Sequence, residues 1–156
     1  MELTLNGLPI TVDPIAAQEI VRRHLLGDMW PLPVTGAAAA ILPPRLNDGE
    51  KYAGFYMAEG GKLTHVILLP GEKKDVSWKD ALSWAKDQDG DLPNRMEALL
   101  LWTNLRDEFQ REVYWTNEQV AGASFCAWYQ GFSHGGQGNW LKDYEFMARA
   151  VRRVAI

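Results

Sequence analysis

The chain has a single cysteine, Cys126, among its 156 residues, so it has no partner for an intramolecular disulfide. Because Cys126 lies in an apolar run, the sequence predicts a buried structural thiol in a reducing compartment. Histidines are also scarce, and His24, His65 and His134 show no metal-ligand spacing. The sequence therefore predicts neither a disulfide framework nor a zinc site.

Basic charge is in short supply, with 16 Lys and Arg against 20 Asp and Glu, a net charge of −4 and a pI of about 5.4. Proteins that bind phosphate backbones gather Lys and Arg into a patch, so we expect no nucleic-acid partner. Long apolar runs are missing too. The most apolar stretch, VTGAAAAILPP at 34–44, is too short to span a bilayer, so we expect no membrane association. The N-terminus, MELTLNGLPITV, lacks the pattern of a signal peptide, which favours a cytoplasmic location.

Catalytic motifs are lacking as well. Neither the phosphate-binding pattern G-x-x-x-x-G-K-[ST] nor the nucleophile pattern G-x-S-x-G occurs in the sequence. Cys126 paired with His134 would need an open, electropositive environment to act as a nucleophile, and the apolar strand around Cys126 predicts the opposite. We therefore predict that the protein is not an enzyme and uses no cofactor.

What the chain does have is core-forming material, with 47% hydrophobic residues and seven tryptophans. In the N-terminal part, Leu3 to Val12 reads as a hairpin around Asn6-Gly7, and Asp13-Pro14 starts a helix. Four prolines then make residues 28–50 an irregular arm. These features predict an N-terminal segment, 1–50, and a main domain, 51–156.

The main domain opens with two strand-like runs, Tyr52 to Ala58 and Leu63 to Leu69, that form a second hairpin. Two helices follow. Ser77 caps the first, and Asn94 caps the second with Glu97 at the capping-box position. The apolar side chains of the second helix that are available to the core are Met96, Leu99, Leu100 and Leu105.

The stretch from Tyr114 to Val154 reads as one small antiparallel sheet that ends in an arginine-bearing strand. Val113 to Thr116 and Ser124 to Phe132 are its first two strands. The second of these has large apolar groups on both faces, which predicts a central strand covered on one side by the helices. Three aromatic side chains are expected in the core: Trp115 of the first strand, and Trp128 and Phe132 of the second.

Several motifs in this order resemble a known family. They are WKDALSWAKDQDGDLPNRMEALLLWTNL from Trp78, YWTNE from Tyr114, AWYQGF from Ala127 and ARAVRRV from Ala148. The family pattern runs roughly W-x-x-A, L-P-x-R-x-E, Y-W-[ST]-[STN], A-W-x-x-x-F and a final V-R-x-V. The chain from about Trp78 to Val154 thus resembles the domain at the C-terminus of the Legionella collagen-like adhesin, which also occurs in many bacteriophage and prophage proteins.

The resemblance implies an α+β fold of the C-type-lectin-like kind, with two helices flanking a twisted antiparallel sheet. The hairpin and helix of residues 1–50 would add to it. Some relatives of this fold are receptor-binding proteins of phages, and others are sulfatase-modifying enzymes. The enzymes rely on a cysteine pair, which this chain lacks.

The best candidate for a binding surface is the Gly-rich loop QGFSHGGQGNW at 130–140, where amides, an imidazole and an indole are offered on a flexible backbone. Residues 116–118 lie beside it in the predicted sheet. The candidate ligand-binding residues are Thr116, Asn117, Glu118, Gln130, His134, Gln137, Asn139 and Trp140. The alternative is a solvated hairpin whose polar groups serve strand-end turns. Asn139, Asp143 and Glu118 offer oxygens to calcium, but the paired ligand motifs of calcium-dependent lectins are missing, so no metal is expected.

The leading functional hypothesis is a non-catalytic binding module of phage or prophage origin that recognises a protein or a glycan through these loops. A second hypothesis is a cytosolic phage accessory protein that inhibits a host defence or regulatory factor through residues 1–50. A third, an enzyme related to sulfatase modifiers, would require a reactive Cys126. Partners would thus be a host or phage protein or a glycan, in the bacterial cytoplasm or the virion. The Pro-rich arm leaves a homo-oligomer open.

Overall fold

The computed structural model describes residues 2–5, 8–11 and 42–156. The chain divides into two compact units, Met1–Ala40 and Ile41–Ile156. In the first unit β1 (Glu2–Leu5) and β2 (Leu8–Thr11) pair antiparallel, with Leu5 opposite Leu8. This register is that of the predicted N-terminal hairpin. The predicted helix from Asp13 and most of the Pro-rich arm lie outside the described residues.

The second unit contains two helices and eight strands. The helices are α1 (Trp78–Asp87) and α2 (Arg95–Leu105). The strands are β3 (Lys51–Met57), β4 (Leu63–Leu68), β5 (Lys73–Val76), β6 (Val113–Val120), β7 (Ala123–Gly131), β8 (Gln137–Leu141), β9 (Phe146–Ala148) and β10 (Val151–Ala155). No helix of the described residues is long and apolar enough to cross a membrane.

The strands of this unit form two sheets, so the fold is mixed α+β. One sheet has three strands in the order β10-β4-β3, and the other has five in the order β5-β9-β6-β7-β8. All pairs are antiparallel except β6 and β9, which run parallel where Tyr114 meets Met147. As predicted, β7 has a strand on each side.

The expectation of a single sheet from Tyr114 to Val154 is wrong at its C-terminal end. Strand β10 pairs with β4, with Val151 opposite Leu68, and therefore belongs to the other sheet. Its backbone is also bridged to Asp91, which exchanges two hydrogen bonds of 2.9 and 2.8 Å with Val151. These partners are distant in sequence, which is why a reading of local patterns missed them.

Both helices begin where the capping residues predicted. The Ser77 side chain accepts a hydrogen bond from the backbone N–H of Asp80 at the start of α1. At the start of α2, Asn94 and Glu97 form a complete capping box, because each side chain binds the backbone N–H of the other residue. Local side-chain chemistry thus fixes both helix starts.

The buried face of α2 differs from the prediction. Met96 and Leu99 are 60% and 44% exposed, whereas Glu97, Ala98 and Leu101 are buried. The helix turns this face inward because Glu97 has partners inside the protein, described below. Leu100 and Leu105 are half-buried against the core, as expected.

Two apolar clusters form the core of the second unit. One surrounds Trp115 and contains Ala81 and Ala85 of α1, and the other contains Tyr114, Leu101 and Phe132. Trp115 is fully buried, and its indole N–H donates to the carbonyl of Val76 at 2.9 Å. Two of the aromatic side chains expected in the core, Trp115 and Phe132, are therefore confirmed there. Trp128 is half-buried, and so is Cys126, which was expected to be fully buried.

Candidate functional site

The start of α2 is joined to the β7–β8 hairpin by a polar network around Arg95. The backbone N–H of Arg95 donates to Glu118 Oε1 at 2.7 Å, and its carbonyl accepts from Gln137 Nε2 at 2.7 Å. Its guanidinium lies 3.7 Å from the ring centroid of Trp128 and donates from Nε to Gln137 Oε1 at 3.2 Å. The carboxylate of Glu118, a residue of β6, lies at the start of α2 and therefore also complements the positive end of the helix dipole.

Gln130 of β7 also belongs to this network. It is fully buried, and its Oε1 accepts from Gln137 Nε2 at 2.9 Å. Its own Nε2 donates to the carbonyl of Gly131 at 3.1 Å. The amides of Gln130 and Gln137 therefore bind each other and the backbone. Because their hydrogen-bonding groups are occupied within the protein, these amides stabilise the hairpin and are not presented to a ligand.

Thr116 and Asn117 also have internal partners. Thr116 is fully buried and donates from Oγ1 to the carbonyl of Trp128 at 3.0 Å. The side chain of Asn117 donates to Asp91 Oδ2 at 3.1 Å, and its backbone N–H donates to the carbonyl of Pro93 at 2.9 Å. Thr116 thus joins β6 to β7, and Asn117 joins β6 to the segment before α2. This is the use expected in the alternative in which polar residues serve the ends of strands.

An ion pair between a buried carboxylate and a partly exposed guanidinium stabilises the same region, and sequence reasoning missed it. Glu97 is fully buried and receives two hydrogen bonds from Arg153, of 2.6 Å to Oε1 and 2.8 Å to Oε2. Tyr56 Oη also donates to Glu97 Oε1, at 3.1 Å. Burial alone would lower the pKa of Arg153. The hydrogen bonds and the negative charge of Glu97, followed by those of Asp91, outweigh this effect and raise the pKa of Arg153. Two of the family-like motifs, L-P-x-R-x-E and V-R-x-V, meet in this pair.

Asp91 is a second acidic partner of Arg153. It accepts from Arg153 Nη1 at 3.0 Å and from Asn117, and Lys86 Nζ lies 3.4 Å from its Oδ1. Burial alone would raise the pKa of Asp91, but the hydrogen bonds of Asn117 and Arg153, with the positive charges of Arg153 and Lys86, lower it. The arrangement neutralises the charges it buries, as a structural ion-pair network does.

The remaining predicted residues are exposed. His134 lies on the β7–β8 loop, where its Nδ1 is 2.7 Å from Ser133 Oγ, while Asn139 and Trp140 lie on β8. The structure therefore separates the predicted site into an internal network and an exposed strand.

Exposed aromatic side chains accompany Trp140, which is 50% exposed. Phe125 is 65% exposed and Tyr144 is 53% exposed. Phe125 and Trp140 occupy diagonal positions on one face of the β7–β8 ladder, because Ala127 is opposite Trp140. The Tyr144 ring is edge-on to Trp140, with centroids 6.2 Å apart. We call Phe125, Trp140 and Tyr144 the aromatic edge.

The aromatic edge is anchored in the core. The ring of Tyr144 lies 5.0 Å from that of Phe146, which lies 4.6 Å from that of the buried Trp115. A series of packed rings thus supports Trp140 and Tyr144, which limits the conformational freedom of these two side chains before any partner binds. Phe125 and Tyr144 were not among the predicted site residues. The available signal was their polar surroundings, Ser124 before Phe125 and Asp143 with Glu145 around Tyr144.

Strand β8 carries the outer boundary of this surface. Among the described residues it is the last strand of the five-stranded sheet, and it has the uncharged sequence QGNWL. The backbone N–H of Lys142 donates to the carbonyl of Phe125, and the backbone N–H of Gly131 donates to the carbonyl of Gly136. The two residues of each pair are therefore hydrogen-bonded partners in the β7–β8 ladder. By the alternation of the ladder, the backbone N–H and C=O of Asn139 point away from β7.

The described residues contain no group of three or more His, Cys, Asp and Glu side chains that is arranged to hold a metal ion. Glu118, one of the oxygens considered for calcium, is hydrogen-bonded to Arg95. The alternative contact surface in residues 1–50 lies largely outside the described residues.

No model of a known protein family matches the sequence, and the search of curated proteins finds no match.

Proposed function

We propose that this chain is a non-catalytic binding module of phage or prophage origin that recognises a host or phage protein through the aromatic edge and the open side of β8. The phage origin and the C-type-lectin-like form of the α+β fold are supported by the sequence motifs between Trp78 and Val154. A location in the bacterial cytoplasm or the virion goes with that origin.

The observation that carries the proposal is the exposure of Phe125, Trp140 and Tyr144, of which Phe125 and Trp140 share a face of the β7–β8 ladder and Tyr144 contacts Trp140. Large aromatic side chains normally gain most by burial, so three of them at half exposure or more leave a substantial binding free energy unused. Trp and Tyr are also the residues that dominate measured binding energies at protein interfaces.

Strand β8 supplies a second kind of contact. Natural edge strands are usually protected by charges, prolines or bulges, and β8 has no charge or proline and pairs with β7 in continuous register. The outward N–H and C=O of Asn139 are suited to pair with an extended segment of a partner. Such strand addition gives affinity through the backbone, while the aromatic edge would give specificity.

A protein is favoured over a glycan because the exposed groups of this surface are mainly apolar. Leu141, on the opposite face of β8, is 45% exposed and adds to them. A glycan remains the second candidate ligand, because Asn139, on the same face of β8 as Leu141, presents an exposed amide. Sugar binding without any protein partner would contradict the protein version of the proposal.

The test is affinity capture from a bacterial lysate followed by direct binding of the identified partner to purified variants. We expect Trp140→Ala with Tyr144→Ala to weaken binding by at least about 30-fold, because a single hot-spot aromatic group contributes about 2 kcal/mol or more. Met96→Ala with Leu99→Ala removes exposed apolar groups from α2 and is the matched control. A partner that binds both double variants equally would refute the proposed surface.

The strand contact is tested at one position. Asn139→Pro removes the outward N–H, whereas Asn139→Ala removes only the side chain, and edge strands tolerate proline better than central ones. We expect the proline variant alone to weaken binding, with both melting temperatures measured alongside. Equal effects of the two substitutions would exclude strand addition.

A further inference from the structure

A cavity lies at the C-terminal end of α2, apart from the aromatic edge. It has a volume of about 390 Å³, within the range of small-molecule sites, and its lining includes Trp102, Arg106, Phe109, Arg111 and Phe132. We call it the arginine-aromatic cavity. It includes no residue of the aromatic edge.

The floor of the cavity is formed by packed aromatic rings. Phe109 and Phe132 are stacked, with centroids 3.9 Å apart and planes 10° apart, and Trp102 is edge-on to Phe132 at 6.0 Å. Phe132 is buried in the core cluster around Tyr114, so the floor is held in place from behind. Phe109 and Trp102 are only half-buried, so parts of both rings can contact an apolar group in the cavity.

The wall of the cavity is positively charged. Arg106 lies with its guanidinium carbon 5.3 Å from the Trp102 ring centroid, and Arg111 is exposed. In residues 42–156, no ion pair includes Arg106 or Arg111, in contrast to Arg152 and Arg153. The guanidinium groups of Arg106 and Arg111 therefore retain their capacity to bind a carboxylate at two points.

The indole N–H of Trp102 lies against Gly135 of the β7–β8 loop. Trp102 Nε1 has no acceptor among the described residues, whereas the indole of Trp115 donates to Val76. Asp107 is the acidic residue of the lining. Its charge, together with the apolar floor, disfavours a dianion such as free phosphate and favours a single negative charge attached to an apolar group.

We infer that the arginine-aromatic cavity binds a carboxylate attached to an aromatic group. The ring packs against the accessible parts of Trp102 and Phe109, and the carboxylate meets Arg106 and Arg111. Such a group occurs in small aromatic acids and in peptide segments that place Glu or Asp next to an aromatic residue. The site is independent of the proposed binding of a partner by the aromatic edge.

The test uses the intact chain, labelled with ¹⁵N, and follows the indole N–H signal of Trp102, which Trp102→Phe assigns. The probes are 2-naphthoate and the dipeptide acetyl-Glu-Phe-amide, which represent the free acid and the peptide source. For a ligand of this size we expect a dissociation constant of about 1 mM or tighter. Saturable shifts with either probe support the inference and show which source fits.

Charge dependence is measured with matched ligands and variants. The neutral analogues 2-naphthalenemethanol and acetyl-Gln-Phe-amide should bind the unaltered protein about tenfold more weakly, since charge-assisted hydrogen bonds contribute about 1.5 to 3 kcal/mol. Arg106→Gln and Arg111→Gln should each cause a similar loss, and Lys79→Gln on α1 should cause none. No saturable shift of Trp102, or equal binding of the neutral analogues, would overturn the inference.

Discussion

The carboxylate of Glu97 and the guanidinium of Arg153 form a two-point ion pair, with Nε to Oε1 at 2.6 Å and Nη2 to Oε2 at 2.8 Å. Glu97 is fully buried, and the pair joins α2 to β10. Loss of one partner from a buried pair leaves the other charge without compensation, which costs far more than the pair contributes in net stability.

We therefore expect Arg153→Met to lower the free energy of unfolding by about 3 to 5 kcal/mol in urea denaturation. Adding Glu97→Gln to this variant should restore part of the loss, because it removes the unpaired charge. Lys79→Met, at an exposed position of α1, is the matched control and should change stability by about 0.5 kcal/mol or less. A loss below about 1 kcal/mol for Arg153→Met would show that the pair is unimportant.

A second ion pair predicts a dependence on pH. Hydrogen bonds from Arg152 lower the pKa of Glu50 from 4.5 to about 2, against the opposing effect of burial. Because the folded pKa lies below the unfolded one, Glu50 stabilises the native state above about pH 4.5, and this contribution is lost as the pH falls toward 2.

The stability difference between the unaltered protein and Glu50→Gln should therefore be largest near neutral pH and should shrink in acid. Urea denaturation at a series of pH values measures it. Glu59→Gln, at an exposed position, should show no such trend. A difference that stays constant between neutral and acidic pH would contradict the role given to Arg152.

Neighbouring polar residues of β8 should respond differently to substitution. Gln137→Ala removes hydrogen bonds to Gln130 and Arg95 and should lower the free energy of unfolding by about 1 to 3 kcal/mol, since it leaves a buried amide without its partner. Asn139→Ala, two positions along the same strand, should have little effect. Thermal or urea unfolding of the two variants decides it, and similar losses for both would argue against the internal network.

Gly135 and Gly122 form a natural comparison, because both have left-handed backbone angles, with φ of +82° and +77°. A Cβ at Gly135 would lie 2.5 Å from Trp102 Nε1, whereas one at Gly122 would meet open space. Gly122→Ala should therefore cost only the backbone strain, about 1 kcal/mol, and Gly135→Ala should cost about 1 to 3 kcal/mol more. Equal melting temperatures for the two variants would show that the Trp102 indole moves aside freely.

Features with a local cause could be predicted from the sequence. The starts of α1 and α2 follow from Ser77 and Asn94, whose side chains bind backbone groups three residues away. The hairpin strands follow from alternating patterns and turn residues. Features that depend on distant contacts could not be predicted. Residues two apart on a helix do not share a face, which correctly separates Glu97 from Arg95, but nothing local reveals that Glu97 pairs with Arg153.

The candidate site shows the same limit. Gln137 and Asn139 are both polar residues of a glycine-rich loop in the sequence, and only tertiary structure shows that one amide is used internally and the other is exposed. Phe125 was predicted neither as a core residue nor as a binding residue, although its strand was expected to carry large apolar groups on both faces. Its ring is 65% exposed near the start of β7, and only the tertiary structure reveals this exposure.

The adjacent arginines of β10 have a kinetic consequence. Arg152 binds Glu50, 102 positions away, and Arg153 binds Glu97, 56 positions away. Any partly folded state in which β10 has not docked leaves two carboxylates without their cations. Contacts of such long range form slowly because the intervening chain must first be closed. Docking of one strand thus neutralises two distant segments at once and makes the transition more nearly all-or-none.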